Sequence, residues 1–302
     1  MQTQLQTAKH DVWWRMTRPH TLTASFVPVF IGTALAAGVG EISIPLFLAM
    51  LAASMLIQSA TNMFNEYYDY VKGLDNEHSV GIGGTIVRDG VKPKTVRNLA
   101  IGLYAISVAL GVYICMESSW WVAAVGVVSM AVGYFYTAGP VPISYTPLGE
   151  LFSGIFMGPV IIMITCFIQT GSVEIGNLLI SLAPGLLIGA INLANNIRDL
   201  DGDKEGGRKT LAILLGRPRA IVLLACIFAV AFAWTVLLVA LQMLTPWALL
   251  VVLSIPKAVQ AVRQFRGKTF AYEMVGAMKS TAQLNTIFGV LLTVGLILSL
   301  LF

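Results

Sequence analysis

Four acids and four bases crowd the fifteen residues NNIRDLDGDKEGGRK, from Asn195 to Lys209, directly after the apolar run LLIGAINLA. On a helix, residues three or four apart share a face. Asn195, Asp199 and Asp203 therefore form one polar stripe, with Asn192 a turn earlier on the same side. Adjacent members lie about 6 Å apart along the axis, at ~1.5 Å rise per residue. Upstream, NMFNEYYD repeats the pattern: Asn62, Asn65 and Asp69 precede Asn192, Asn195 and Asp199 by a constant 130 residues. Asp75 would fall off that first stripe on a continuing helix. Gly73 lies between and can break the helix, letting Asp75 turn back. Asp201 and Glu205 fall off the second stripe and are expected to be solvated.

Carboxylates and carboxamides are hard oxygen donors. They suit Mg²⁺, which keeps several waters and is typically held by carboxylates together with substrate phosphates. Acids alone would repel a phosphate; a bridging divalent cation removes the conflict. Arg88, Lys204, Arg208 and Lys209 add positive charge nearby for direct diphosphate contact. The spacing reads as a magnesium–diphosphate clamp. The chain has only three histidines, at 10, 20 and 78, none paired, which argues against zinc or haem. Its three cysteines lie singly in apolar runs and show no metal or disulfide spacing.

The elements that must position these groups are membrane spans. The 302 residues are 57% hydrophobic and only 11% charged, against roughly 25% charged in soluble domains. Apolar runs of about 20 residues, enough to cross a bilayer, predict nine spans: 21–39, 44–70, 96–116, 120–137, 148–169, 176–197, 219–241, 246–262 and 282–301. All 19 Lys and Arg then fall before span 1, in the links after spans 2, 6 and 8, or at the span ends that border those links (Arg97, Arg219 and Lys257). Those segments share one face, which the positive-inside rule makes cytoplasmic. The expectation is an all-α polytopic bundle, N-terminus inside and C-terminus outside, with both acidic motifs on the cytoplasmic side. The net charge of +4 reflects basic loops beside anionic lipid rather than nucleic-acid binding. Residues 1–302 read as one domain with an internal pseudo-repeat in which spans 2 and 6 correspond.

Taken together, the motifs resemble the UbiA-type membrane prenyltransferases. NEYYDYVKGLD (Asn65 to Asp75) looks like that family's first Asp-rich motif and NNIRDLDGD (Asn195 to Asp203) like its second, with Glu66 where Asp is common. RPHTLTASFVPVFIGTALA at Arg18, GIGGTIVRDG at Gly81, YTAGPVPISYTPLGE at Tyr136 and GRKTLAILLG at Gly207 resemble the branch that prenylates 1,4-dihydroxy-2-naphthoate for menaquinone synthesis. The resemblance implies a nine-helix bundle around a central cavity, opening toward the cytoplasmic face of the plasma membrane. It implies two Mg²⁺ ions held by Asn65, Asp69, Asp75, Asn195, Asp199 and Asp203, and a polyprenyl diphosphate as donor. Asp69, Asp199, Arg198 and Lys209 are the implied catalytic groups, with Arg88 and Lys209 as cationic helpers. Aromatic faces can stabilise an allylic cation, for which Tyr67, Tyr68, Tyr134, Phe135 and Tyr136 are candidates. Arg18 and Arg198 are placed for an anionic acceptor, with Tyr67 and Tyr136 beside it. Glu150 could orient either a loop or a substrate hydroxyl. Two alternatives stand beside this: another acceptor such as 4-hydroxybenzoate, or a secondary transporter, since repeats and intramembrane polar residues also mark transporters.

Overall fold

The computed structural model describes residues 9–75 and 84–302, and every regular element among them is helical. Glu77, His78 and residues 81–83 of the Gly81 motif lie outside the described residues. After the short α1 (Lys9–Met16) come α2 (Thr23–Ala37), α3 (Ile44–Val71), the single-turn α4 (Thr85–Asp89), α5 (Pro93–Glu117) and α6 (Trp121–Phe135). Next, α7 (Gly149–Ile155) continues through a π-turn (Phe156–Val160) into α8 (Ile161–Thr170). α9 (Ile175–Glu205), α10 (Leu211–Leu215) and α11 (Arg217–Ala240) follow. A 3₁₀ stretch (Pro246–Ser254) leads into α12 (Ile255–Phe265), and α13 (Val275–Leu301) closes the chain. Prolines in the first turns of α3, α5 and α11 start those helices, where the missing N–H costs nothing.

Seven of these helical segments are long and apolar enough to cross a membrane: Ile44–Val71, Pro93–Glu117, Gly149–Thr170, Ile175–Glu205, Arg217–Ala240, Pro246–Phe265 and Ala271–Leu301. The predicted first and fourth spans appear as apolar helices of 15 residues each, Thr23–Ala37 and Trp121–Phe135. At ~1.5 Å per residue each reaches about 22 Å, less than a bilayer core of about 30 Å.

Within a bilayer, helices associate through close packing of small residues rather than by escape from water. Gly154 and Gly158 meet Gly185 and Gly189 in this way. A Cβ on Gly154 would lie 2.8 Å from the Gly185 carbonyl oxygen, and one on Gly189 would lie 2.9 Å from that of Glu150. A Cβ on Gly158 would press into the Gly185 Cα. The α7 backbone is thereby held against α9 just above the second motif. Gly158→Val is expected to cost about 1–3 kcal/mol by overpacking, read as a lower unfolding temperature of the detergent-solubilised protein.

Three buried apolar clusters surround what is left open. The largest joins α2, α9, α11 and α13 through Ile31, Leu187, Leu193, Leu224 and Phe288. A second packs Val29, Met50, Ile114, Val122 and Ile164, and a third sets Met16, Phe64 and Val96 behind the first motif. Between them lies a cavity of about 900 Å³. One end is polar and receives both Asp-rich motifs; the other is walled by apolar residues such as Ile57, Val112, Val127 and Val160.

Candidate active site

Both motifs sit where a helix stops, and both stop the same way. At the end of α3, Lys72 N donates to Tyr68 O (2.9 Å), Gly73 N to Tyr70 O (3.0 Å) and Leu74 N to Asp69 O (2.9 Å). At the end of α9, Gly206 N donates to Gly202 O (2.9 Å), Gly207 N to Lys204 O (3.1 Å) and Arg208 N to Asp203 O (2.9 Å). Gly73 and Gly207 both take left-handed backbone (φ 73° and 78°), the usual end of a helix. The matching ends pair Asp69 with Asp203, a register of 134 residues. That is one turn beyond the 130-residue sequence register, because α9 runs a turn further than α3. The side chain of Leu74 presses onto Gly206, so the two ends abut. As the spacing predicts, the Gly73 turn returns Asp75 to the cavity wall. Burial, then the Asp69 carboxylate, push Asp75 up to about 6, with Arg18 opposing.

Arg208 is the hub. Its Nη2 donates to Asp69 Oδ1 at 2.6 Å and its Nη1 to Asp203 Oδ1 at 3.0 Å, so one guanidinium joins the acids of opposite walls. Its side chain is only 10% exposed. Burial opposes the charge, but Asp69 and Asp203 more than offset this and hold Arg208 above its ordinary range. Expected beside phosphate, Arg208 also joins the two motifs to each other.

Arg198 is likewise turned onto its own stripe. Its Nε and Nη2 donate to the two Asp199 oxygens (2.7 and 2.6 Å), Nη2 also to Asn195 Oδ1 (2.7 Å), and Nη1 points at Met278 Sδ. Expected at the acceptor, it instead neutralises Asp199 and fixes Asn195. Arg18, in the link between α1 and α2, lines the cavity with left-handed backbone (φ 51°) and a buried Nε that has no hydrogen-bond partner. A non-glycine residue held there is strained, a frequent mark of a functional position. Beside it, burial and then Arg18, Arg198 and Lys279 depress His20 to about 3.

The first asparagines of the two stripes are staples. Asn62 donates to Thr17 O and Thr21 Oγ1, both 2.9 Å, holding the Arg18 link to α3. Asn192 donates to the Tyr136 hydroxyl at 2.5 Å, fixing that ring at the cavity wall. Asn65, Asn195 and Asp199 line the same polar end. Tyr67, Arg88, Lys204 and Lys209 do not line the cavity. Tyr67 packs on Tyr68 with the Arg97 guanidinium over its ring, and Arg88, Lys204 and Lys209 are exposed. Asp201 pairs with Arg217 at 2.9 Å with its side chain 67% exposed, the solvated position its place off the stripe predicts.

The sequence profile of the UbiA prenyltransferase family matches residues 25–273. The chain belongs to that family. It is 57% identical to 1,4-dihydroxy-2-naphthoate octaprenyltransferase of Bacillus subtilis (strain 168) over 289 residues, 96% of this chain and 93% of the relative. The enzyme of that name from Mycobacterium tuberculosis (strain ATCC 25618 / H37Rv) is 30% identical over 89% of this chain and 91% of its own. A solved UbiA homolog from Archaeoglobus fulgidus bound to GPP and Mg²⁺ shares the fold: TM-score 0.69, 14% identity, 94% of this chain and 99% of that one. The chain is thus a multi-pass membrane prenyltransferase of the UbiA family.

Several contacts within this UbiA site are not legible in the sequence. Tyr145, on the loop before α7, lies under two cations, Lys72 Nζ at 5.0 Å and the Arg208 guanidinium at 5.2 Å from its ring centre. Lys72 also donates to Thr137 O (2.7 Å), and burial lowers its pKa. Glu66, fully buried, accepts from Thr85 Oγ1 (2.5 Å) and Ile86 N (3.0 Å), tying α4 to the first motif. Its counterpart at 130 residues on, Asn196, donates to Glu150 Oε1 at 2.8 Å and ties α7 to the second. Glu150, left open between two roles, is therefore a tether. The usable signal is position: Glu66 and Asn196 each directly follow a motif asparagine.

The residues present fit Mg²⁺. Asp203 Oδ2 is buried without a hydrogen-bond partner at the wall facing Asp69. The donors are all hard oxygens. Among the described residues no three acidic, His or Cys side chains are grouped closely enough to hold a cation by themselves.

Proposed function

We propose that this chain transfers a polyprenyl group from polyprenyl diphosphate to 1,4-dihydroxy-2-naphthoate, releasing diphosphate and CO₂, as the prenylation step of menaquinone synthesis. The observation that carries the reading is the polarity of one cavity. Paired acids from two helix ends, bridged by a buried arginine, head a space whose far end is hydrocarbon-lined. A polyprenyl diphosphate has that same division of charge and grease.

In this reading Asn65, Asp69, Asp75, Asn195, Asp199 and Asp203 hold two Mg²⁺ ions. Bound there, Mg²⁺ supplies Lewis-acid stabilisation of the departing diphosphate. Arg208 is the cation nearest that charge, and Arg198 keeps Asp199 and Asn195 fixed for it. Lys204, Lys209 and Arg88 supply the outer positive field. Tyr136, with Phe152 and Phe156 on the same cavity wall, presents an aromatic face to the allylic cation, whereas Tyr68, Tyr134 and Phe135 do not line the cavity. The apolar walls exclude water from the cation. The ring carbon bearing the carboxylate forms the new C–C bond, and loss of CO₂ restores aromaticity. Arg18, with its unsatisfied Nε, binds the acceptor carboxylate.

The nine-span topology belongs to this proposal. The two 15-residue helices complete the count where flanking apolar residues and local thinning cover the shortfall. The acidic motifs then face the cytoplasm at the plasma membrane, with the N-terminus inside and the C-terminus outside. The matching helix ends support reading residues 1–302 as one domain built on a parallel pseudo-repeat.

Membranes containing the protein, incubated with Mg²⁺, a polyprenyl diphosphate and carboxyl-labelled dihydroxynaphthoate, are expected to yield prenylated product and labelled CO₂ together. EDTA should abolish both. Prenylation of 4-hydroxybenzoate in preference, without CO₂, would sink the assignment of acceptor.

A further inference from the structure

We propose that Gln58 is a specificity-determining residue whose carboxamide oxygen accepts a hydrogen bond from a ring hydroxyl of the acceptor. The inference rests on the aromatic acceptor assigned above. It follows from a chain of hydrogen bonds with one consistent direction. The Thr21 hydroxyl donates to Arg18 O at 2.9 Å, so its oxygen is left to accept. Asn62 reaches that oxygen and Thr17 O, each at 2.9 Å. Two acceptors can be met only by an amide nitrogen, which fixes the orientation of the Asn62 carboxamide. Asn62 Oδ1 therefore faces the other way and receives Gln58 Nε2 at 3.4 Å. With one N–H of its nitrogen turned to Asn62, Gln58 has its carboxamide oxygen left over, on a side chain that lines the cavity.

That oxygen stands on a wall whose deeper residues are mostly apolar, Ile57, Ala53 and Met50, with the single hydroxyl of Ser54 among them. A polar group in such surroundings is costly until it finds a partner. A hydrocarbon tail offers no donor, and a diphosphate offers only acceptors. A phenolic O–H is the one group of the reaction that fits. Gln58 lies one turn below Asn62, about 6 Å along α3, and Asn62 pins the link that carries Arg18. A ligand with its carboxylate on Arg18 and a hydroxyl across one aromatic ring satisfies both. The 4-hydroxyl of the dihydroxynaphthoate, remote from its carboxylate, is that group.

The test compares kcat/KM for 1,4-dihydroxy-2-naphthoate and 1-hydroxy-2-naphthoate in the wild-type protein and in Gln58→Met. Differences in ring reactivity cancel in the ratio of ratios. The variant is expected to lose about tenfold or more on the dihydroxy acceptor, while the monohydroxy acceptor and the KM for polyprenyl diphosphate stay within about twofold. Equal losses on both acceptors, or a change confined to the KM for the diphosphate, would overturn the proposal. Should Gln58→Met not fold, the wild-type protein carries the test. The 4-methoxy analogue, which cannot donate, should inhibit with a Ki about tenfold or more above the KM for the natural acceptor; equal values overturn the proposal. If wild type prenylates a different hydroxy acid instead, the acceptor reading fails, and the same cycle with that acid and its deoxy analogue decides on Gln58.

Discussion

Asp203→Ala is expected to lower kcat by on the order of 10²–10³-fold, the usual consequence of deleting a preorganised electrostatic group at a reacting centre, while leaving the fold nearly as stable. The two halves have separate causes. Asp203 is buried, 8% exposed, with Oδ2 lacking any hydrogen-bond partner. Keeping a carboxylate in that state is unfavourable for folding, so its removal relieves strain as well as deleting an ion pair. Arg208 keeps Asp69 at 2.6 Å and is not stranded. A residue the fold tolerates at a cost is one whose value lies in what binds there. Activity should be measured at saturating concentrations of both substrates, and stability by thermal unfolding. Asp201→Ala is the control: it sits two residues away, exposed and paired with Arg217, and turnover should stay within about twofold, as for surface changes generally. Turnover within tenfold of wild type in Asp203→Ala would remove this residue from the site.

What could be read from the sequence was what depends on neighbours along the chain. The stripes of Asn65 and Asp69 and of Asn195, Asp199 and Asp203 follow from helical period, and the return of Asp75 follows from one glycine. Contacts between distant segments could not be read. The bridge that Arg208 makes between the motifs could not be foreseen, because nothing in the linear order shows that α3 and α9 end side by side, with Leu74 on Gly206. Tyr145 and Lys72 were passed over for the same reason. Hydropathy also marks the lipid zone rather than the helix. The run read as 176–197 is a helix continuing to Glu205, and the run read as 282–301 lies in a helical segment starting at Ala271. Those polar extensions carry the second acidic motif in one case and bury Met274, Ala277 and Met278 in the other. Conversely, 21–39 and 120–137 included flanking apolar residues that are not helical, and the helices there are 15 residues long.

The complementary variant, Arg208→Ala, is expected to be destabilised, and Mg²⁺ is expected to restore much of the loss. Removing one partner of a buried ion pair typically costs about 3–5 kcal/mol, because the remaining charge stays buried without compensation. Here two acids are left, Asp69 and Asp203, with Asp75 already held high in pKa by burial and by Asp69. The side chains of Asp69 and Arg208 are only 12% and 10% exposed, so water cannot readily take the place of the guanidinium. A divalent cation can. Any ligand that binds the folded state alone stabilises it in proportion to the logarithm of its concentration over Kd, and deleting a competing cation lowers that Kd. Unfolding temperature should therefore rise more steeply with Mg²⁺ in Arg208→Ala than in wild type. Arg208→Lys should fall between, since an ammonium is a point charge without the fork that spans two carboxylates. Should Arg208→Ala unfold at the wild-type temperature in EDTA, the bridge between the two motifs contributes nothing to the fold. Should it unfold early but ignore Mg²⁺, the acids that Arg208 joins are not where the metal goes.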